Sequence, residues 1–194
     1  MRSLKSNSFN ISRRRMLATT AAAAATFSSA AKAGWNLKQE PSIAKLVEAL
    51  RSIGKPVCVT AADSLATSTD LRPGFDLHLR NANLHDEDVQ VLATGLRHLD
   101  ANRDTPLKSF SVSYNPGLGD AGATILAHAF PASMTELGMV GCSIGDTGGR
   151  AILHWAQSAP NLQMVCVEGN NFSAELRSQF KKLAAADLAM LVVT

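Results

Sequence analysis

The sequence predicts an α/β solenoid, a short parallel sheet with helices behind it, made of about four copies of one unit with a cap at each end. The first observation is a pattern repeated between Phe75 and Phe172. In its first copy Leu77, Leu79, Ala82 and Leu84 lead to Asp86, then to Val89, Leu92 and Ala93. The third copy keeps the same frame in Leu137, Met139, Cys142, Ile144, Asp146, Gly149, Ile152 and Leu153. Between them stand Phe110, Val112, Asn115, Leu118 (after one extra residue), Asp120, Ala123 and Leu126. The fourth copy is Val165, Val167, Asn170 and Phe172, followed by Leu176 and Phe180. Units therefore begin at residues 77, 110, 137 and 165, spaced by 33, 27 and 28.

The second observation is a change of period inside each unit. Leu77/Leu79, Phe110/Val112, Leu137/Met139 and Val165/Val167 are alternate residues, so each pair points to one side of an extended segment. Apolar residues three or four apart follow, which is helical spacing. The third is the polar residue at each change of period. Asp86, Asp120, Asp146 and Ser173 stand where the helices would begin, and each can accept bonds from free backbone N–H groups there. One strand and one helix cannot bury their apolar sides alone, whereas stacked copies can.

These residues resemble the leucine-rich repeat family, in its longer ribonuclease-inhibitor-like type. The resemblance covers about half the chain and implies a curved parallel sheet with helices on the convex side. It also implies an Asn ladder, in which one residue per repeat bonds backbone groups of the turn. That position is Ala82, Asn115, Cys142 and Asn170. Cys142 can substitute through a weak S–H donor. Ala82 departs from the pattern, leaving the first repeat open to a register slip toward Asn81 or Asn83.

The flanking segments are expected to cap the array, with residues 34–74 as the N-terminal cap and 75–194 as the repeat domain with its closing helix. Pro41 and Ser42 suit the first turn of a helix burying Ile43, Leu46, Val47 and Leu50, which Gly54 and Lys55-Pro56 would stop. Pro56-Val57-Cys58-Val59-Thr60 alternates like a short strand, with Val57 and Val59 on one side, and would open the sheet as a degenerate repeat. Residues 61–74 read as loop or irregular helix. Ser173–Leu188 reads as a closing helix with Leu176, Phe180, Leu183 and Ala184 inward. The apolar tail 189–194 would pack back or pair as a last strand.

Ahead of all this, residues 1–33 have the character of a targeting segment. They contain Arg2, Lys5, Arg13, Arg14, Arg15 and Lys32, and the first carboxylate is Glu40. Ser12-Arg13-Arg14-Arg15-Met16-Leu17 resembles a twin-arginine export signal, with Arg13 and Arg14 as its pair. The Ala-, Thr- and Ser-rich stretch at 16–31 is too short and too weakly apolar to span a membrane. Ala31-Lys32-Ala33 offers small residues for cleavage before Gly34. The resemblance implies a periplasmic or secreted protein, and the same features would suit an organelle lumen such as the plastid's.

The formal net charge of +3 belongs to that leader. Without its six basic side chains, 13 basic residues face 16 acidic ones, a net −3. Nucleic-acid binding, which needs a concentrated basic face, therefore loses its support. At 194 residues, 46% apolar and 18% charged, the chain is long enough for one domain with a real core.

Little points to catalysis. Cys58, Cys142 and Cys166 have no CxxC spacing, and His78, His85, His98, His128 and His154 match no metal motif. His98, His128 and His154 fall on or near repeat helices and read as solvated helix residues. Asp86-Glu87-Asp88 suits a helix start better than a catalytic pair. Gly117–Gly122 lacks the Lys of a phosphate-binding loop. No Ser–His–Asp or Cys–His arrangement is legible. The expectation is a module without catalysis, cofactor or metal that binds a protein or another macromolecule. Alternatives are an accessory or regulatory subunit of a twin-arginine-exported enzyme and, less favoured, an envelope hydrolase. The binding face would consist of strand residues between the inward pairs, chiefly His78, Arg80, Ser113, Tyr114 and Glu168.

Overall fold

The computed structural model describes residues 41–99, 106–186 and 190–194. The basic leader, with Arg13 and Arg14, lies outside the described residues, as do the first seven residues of the expected N-terminal cap. Five short strands form one parallel sheet in sequential order: β1 (Phe75–His78), β2 (Leu107–Ser111), β3 (Glu136–Gly138), β4 (Met164–Cys166) and β5 (Leu191–Val193). Helices α3 (Asp86–Arg97), α4 (Gly119–Ala127), α5 (Asp146–Ser158) and α6 (Ala174–Ala186) alternate with them. Each packs against the next, so one strand-plus-helix unit stacks on another. The apolar tail has taken the strand option, as β5 beside β4.

The inward pairs form the core as expected. Leu77, Leu79, Phe110, Val112, Leu137, Met139, Val165 and Val167 are each at most 1% exposed. The helix sides of the same units, including Val89, Leu92, Ala123, Leu126, Ile152, Leu176 and Phe180, close over them. Leu183 and Ala184 of α6, expected inward, are only half-buried.

The N-terminal cap differs from its expectation. α1 (Pro41–Ile53) buries Ile43, Leu46, Val47 and Leu50 as its spacing predicts. Residues 56–60, however, are the first turns of a second helix, α2 (Pro56–Thr67), and not a strand. The alternation of Val57 and Val59 is misleading, because the buried residues are Cys58, Ala62 and Leu65, at helical spacing. Gly54 at φ +71° ends α1, and Pro56 then takes the first position of α2, where its missing N–H costs nothing. α1 packs on both α2 and α3. A Cβ at Gly95 of α3 would lie 3.0 Å from Ala49 Cβ and 3.2 Å from Leu46 Cα, so this approach needs glycine. Lys55 ties the cap to the first repeat by bonding the Asn83 carbonyl and the Asp88 carboxylate.

The first repeat does not slip. Ala82 and Leu84 are buried, whereas Asn81 and Asn83 are exposed with φ of 51° and 55°. Left-handed backbone explains asparagine at both positions. The ladder explains Ala82. Asn115 accepts a bond from the Leu84 N–H (3.0 Å) and donates to the Leu79 carbonyl (2.9 Å), both in the preceding repeat, and to Val112 O (2.7 Å). Asn170 accepts from the Cys142 and Ile144 N–H groups (2.9 and 3.1 Å) and donates to Met139 O and Val167 O (2.7 and 2.8 Å). Cys142 Sγ, with one hydrogen, donates back toward Val112 O (3.3 Å). The ladder always reaches back one repeat, and no described strand precedes β1, so an Asn at 82 would have no strand to bond.

The helix-start acids also act differently from their expectation. Asp120 Oδ1 accepts from Gly145 N (2.9 Å) and Gly148 N (2.6 Å), so it caps α5 of the next repeat. Asp146 Oδ1 likewise accepts from Ser173 N in the repeat after it (2.8 Å). That bond, with a further contribution from the Ser173 side chain, holds the Asp146 carboxyl below the usual range. Only Ser173 among the four caps its own helix, at Leu176 N (3.2 Å).

Candidate functional site

Strand alternation places every second residue on the sheet face away from the helices. The register sets them in rows. Asp76, Ser109, Glu136, Met164 and Leu191 form one row, and His78, Ser111, Gly138, Cys166 and Val193 the next. Two residues further along each of the first four strands come Arg80, Ser113, Val140 and Glu168. This open face includes four of the five residues expected to bind, and Tyr114 begins the turn at its edge.

Tyr114 and Arg80 are brought together. The Arg80 guanidinium carbon lies 5.3 Å from the Tyr114 ring centroid, a cation–π contact, and Tyr114 is 49% exposed. Tyr114 has φ +62°, at the turn position held by Asn81, Gly141 and Gly169 in the other repeats. Its N–H bonds Val140 O (2.7 Å), which continues the rungs Asn81 N to Ser113 O and Gly141 N to Glu168 O. A tyrosine held in left-handed backbone costs about 1 kcal/mol or more, which glycine avoids. The ring lies against Gly141, where an added Cβ would come within 3.3 Å of Tyr114 Cδ1.

His78 is exposed at the sheet's N-terminal edge, with Nε2 3.0 Å from Ser109 Oγ. Ser113 is a correction. It faces this side, but it is 2% exposed, and its Oγ accepts bonds from Val140 N (3.1 Å) and Ser111 Oγ (3.1 Å). The reason is local. Val112 O, the carbonyl that would otherwise receive the Val140 N–H, already accepts from Asn115 and Cys142. Ser113 therefore holds the sheet together and offers nothing to a partner. Both serines lie over Gly138, whose missing side chain makes room for them: a Cβ there would stand 2.8 Å from Ser111 Oγ. The middle of the face is thus flat, with its hydroxyls already paired.

Glu168 at the other end is half-buried, and its Oε2 is shielded from solvent with no hydrogen-bond partner. Residue order alone gave no signal for this, since an unpaired oxygen depends on which side chains surround it. Cys166 lies one row back between two acids. Burial pushes its thiol up, and Glu168 and Glu136 push it further. Burial raises Cys142 as well, and drives Cys58 to about 11. Cys142 and Cys166 lie on opposite sides of the sheet, one in the core ladder and one on the open face. Mass spectrometry after alkylation in denaturant without reductant should find three free thiols. In the native protein near neutral pH, even the half-exposed Cys166 should react slowly, because little of it is thiolate.

The remaining candidates stay apart. His98 and His128 end α3 and α4, and His154 is exposed on α5. Among the described residues no group of three or more His, Cys, Asp or Glu is arranged to hold a metal ion, and no helix is long and apolar enough to cross a membrane.

A family model described as Leucine Rich repeat matches residues 131–153, which run from the end of the second unit through β3 into α5. No curated protein matches the chain. Those residues match a leucine-rich repeat, and the stacked strand-and-helix units around them form a parallel α/β fold consistent with a leucine-rich-repeat-type solenoid.

Proposed function

We propose that this chain is an exported, non-catalytic binding module that holds another protein, or a comparable macromolecule, on its open strand face. One observation carries the reading. Tyr114 is kept exposed, in strained backbone, with Arg80 stacked on it, at a turn position where two other repeats have glycine. Folding alone has no use for that arrangement, since glycine would relieve the backbone. Aromatic and guanidinium side chains are also the groups that dominate protein interfaces. A backbone ordered by rungs and ladder loses little entropy on binding.

Tyr114→Ala and Arg80→Ala should each weaken partner binding by about 1–2 kcal/mol with the fold nearly intact. Arg97→Ala and Arg150→Ala, on exposed helix positions of α3 and α5, should do little. Calorimetric titration of the four variants checks this. Loss confined to the helix-side pair would place the functional face behind the sheet. Tyr114→Gly should bind as poorly as Tyr114→Ala but be the more stable of the two by roughly 1 kcal/mol, separating the ring from its backbone.

Export is proposed on the resemblance of Arg13 and Arg14 to a twin-arginine pair. Replacing both with Lys should leave precursor in the cytoplasm of a host that has that pathway. Normal export of the double variant would sink the assignment.

A further inference from the structure

The outermost row of the open face carries a cation at one end and an anion at the other, Arg80 just beyond β1 and Glu168 just beyond β4. The acids Asp76 on β1 and Glu136 on β3 lie two rows back. In the row containing Arg80 and Glu168 the positions between are Ser113 and Val140, neither able to answer either charge. Arg80 is engaged by the Tyr114 ring and not by a carboxylate, and Glu168 Oε2 is shielded yet bonded to nothing. A carboxylate oxygen out of solvent without a donor is costly, and the half-buried Glu168 side chain would gain by turning toward a cationic donor at the surface. The two residues are three strand steps apart, roughly 14 Å at about 4.8 Å per step, so they cannot satisfy each other.

That spacing specifies an occupant. Four residues of extended chain also span roughly 14 Å, and side chains four apart in such a chain point the same way. Resting on the strand-face reading above, we propose that the partner presents an extended polypeptide segment laid across the strands. An acidic side chain meets Arg80, and a lysine or arginine four residues away meets Glu168. Small side chains between them pass over the flat centre at Ser111, Ser113 and Gly138. The left-handed glycines Gly141 and Gly169 border that path without side chains of their own.

Random nonapeptides displayed on phage, selected against the immobilised full chain, test this. Enriched peptides should carry an acid and a base four residues apart, and fluorescence anisotropy with their labelled synthetic forms measures affinity. Glu168→Gln should weaken them about tenfold. Replacing the peptide's base by norleucine should weaken binding to a similar degree and abolish the sensitivity to Glu168→Gln. Glu168→Lys should regain affinity for a peptide whose base is changed to glutamate. Enriched peptides lacking the spaced pair, indifference to Glu168→Gln, or no enrichment at all would overturn the proposal. If Tyr114→Ala weakens the peptides while Glu168→Gln does not, the strand face binds and only the charge pairing falls. If neither variant matters to peptides that bind, the strand-face reading falls with it.

Discussion

Asn115→Ala should lower the unfolding free energy by about 3–5 kcal/mol, the largest effect expected of a single polar substitution in this chain. The side chain is fully buried and serves groups in two repeats: Leu84 N–H and Leu79 O in the first, Val112 O in its own. Alanine leaves Leu84 N–H and Leu79 O without their side-chain partner and Val112 O with only the weak Cys142 S–H donor, and an unsatisfied buried group costs about 1–3 kcal/mol. Asn170→Ala should behave alike, for it serves Cys142 N, Ile144 N, Met139 O and Val167 O. Cys142→Ala, which removes one weak donor, should cost clearly less, and Ala82→Asn should add no stability. Urea denaturation of the four variants checks the order. Equal losses at 115 and 142 would mean that the ladder's backbone contacts are not what holds the repeats together.

Asp120→Ala should cost about 2 kcal/mol, at the upper end for a helix cap, because one carboxylate oxygen receives two backbone N–H groups. The loss should appear in the wrong repeat. Asp120 stands at the start of α4, but Gly145 and Gly148 open α5. Amide hydrogen exchange should therefore quicken at Gly145 and Gly148 more than in the first turn of α4. Asp120→Asn, which keeps an oxygen acceptor, should recover part of the stability. Faster exchange confined to α4 would show that the carboxylate caps its own helix.

Period was the legible signal, since burial imposes it directly. Alternate residues such as Phe110 and Val112 had to share a side, and Val89, Leu92 and Ala93 had to share a helix face. The same reasoning failed at Pro56–Thr60, where two valines flanking a cysteine alternate as in a strand. Five residues are too few to separate the two periods, and Ala62 and Leu65 decide in favour of a helix. The candidate site was legible as a set of positions, and Arg80, Tyr114 and Glu168 followed from the frame. Ser113 was misjudged, because its burial depends on Gly138 one strand away and on which donors already occupy Val112 O.

By itself, the sequence determined the repeat unit, the inward residues of the four strand pairs and the strand residues that face away from the helices. These depend on local geometry, in which side-chain direction follows from position along a strand or helix. Only the tertiary structure decided where each polar group is satisfied. Asn115, Asn170, Asp120 and Asp146 all reach across a repeat boundary, and Lys55 reaches from the cap into the first repeat. Arg80 meets Tyr114 from a neighbouring unit, and Glu168 keeps an oxygen without a donor. Such pairings depend on the stacking of units about 28 residues apart, a distance that no pattern within one unit can measure.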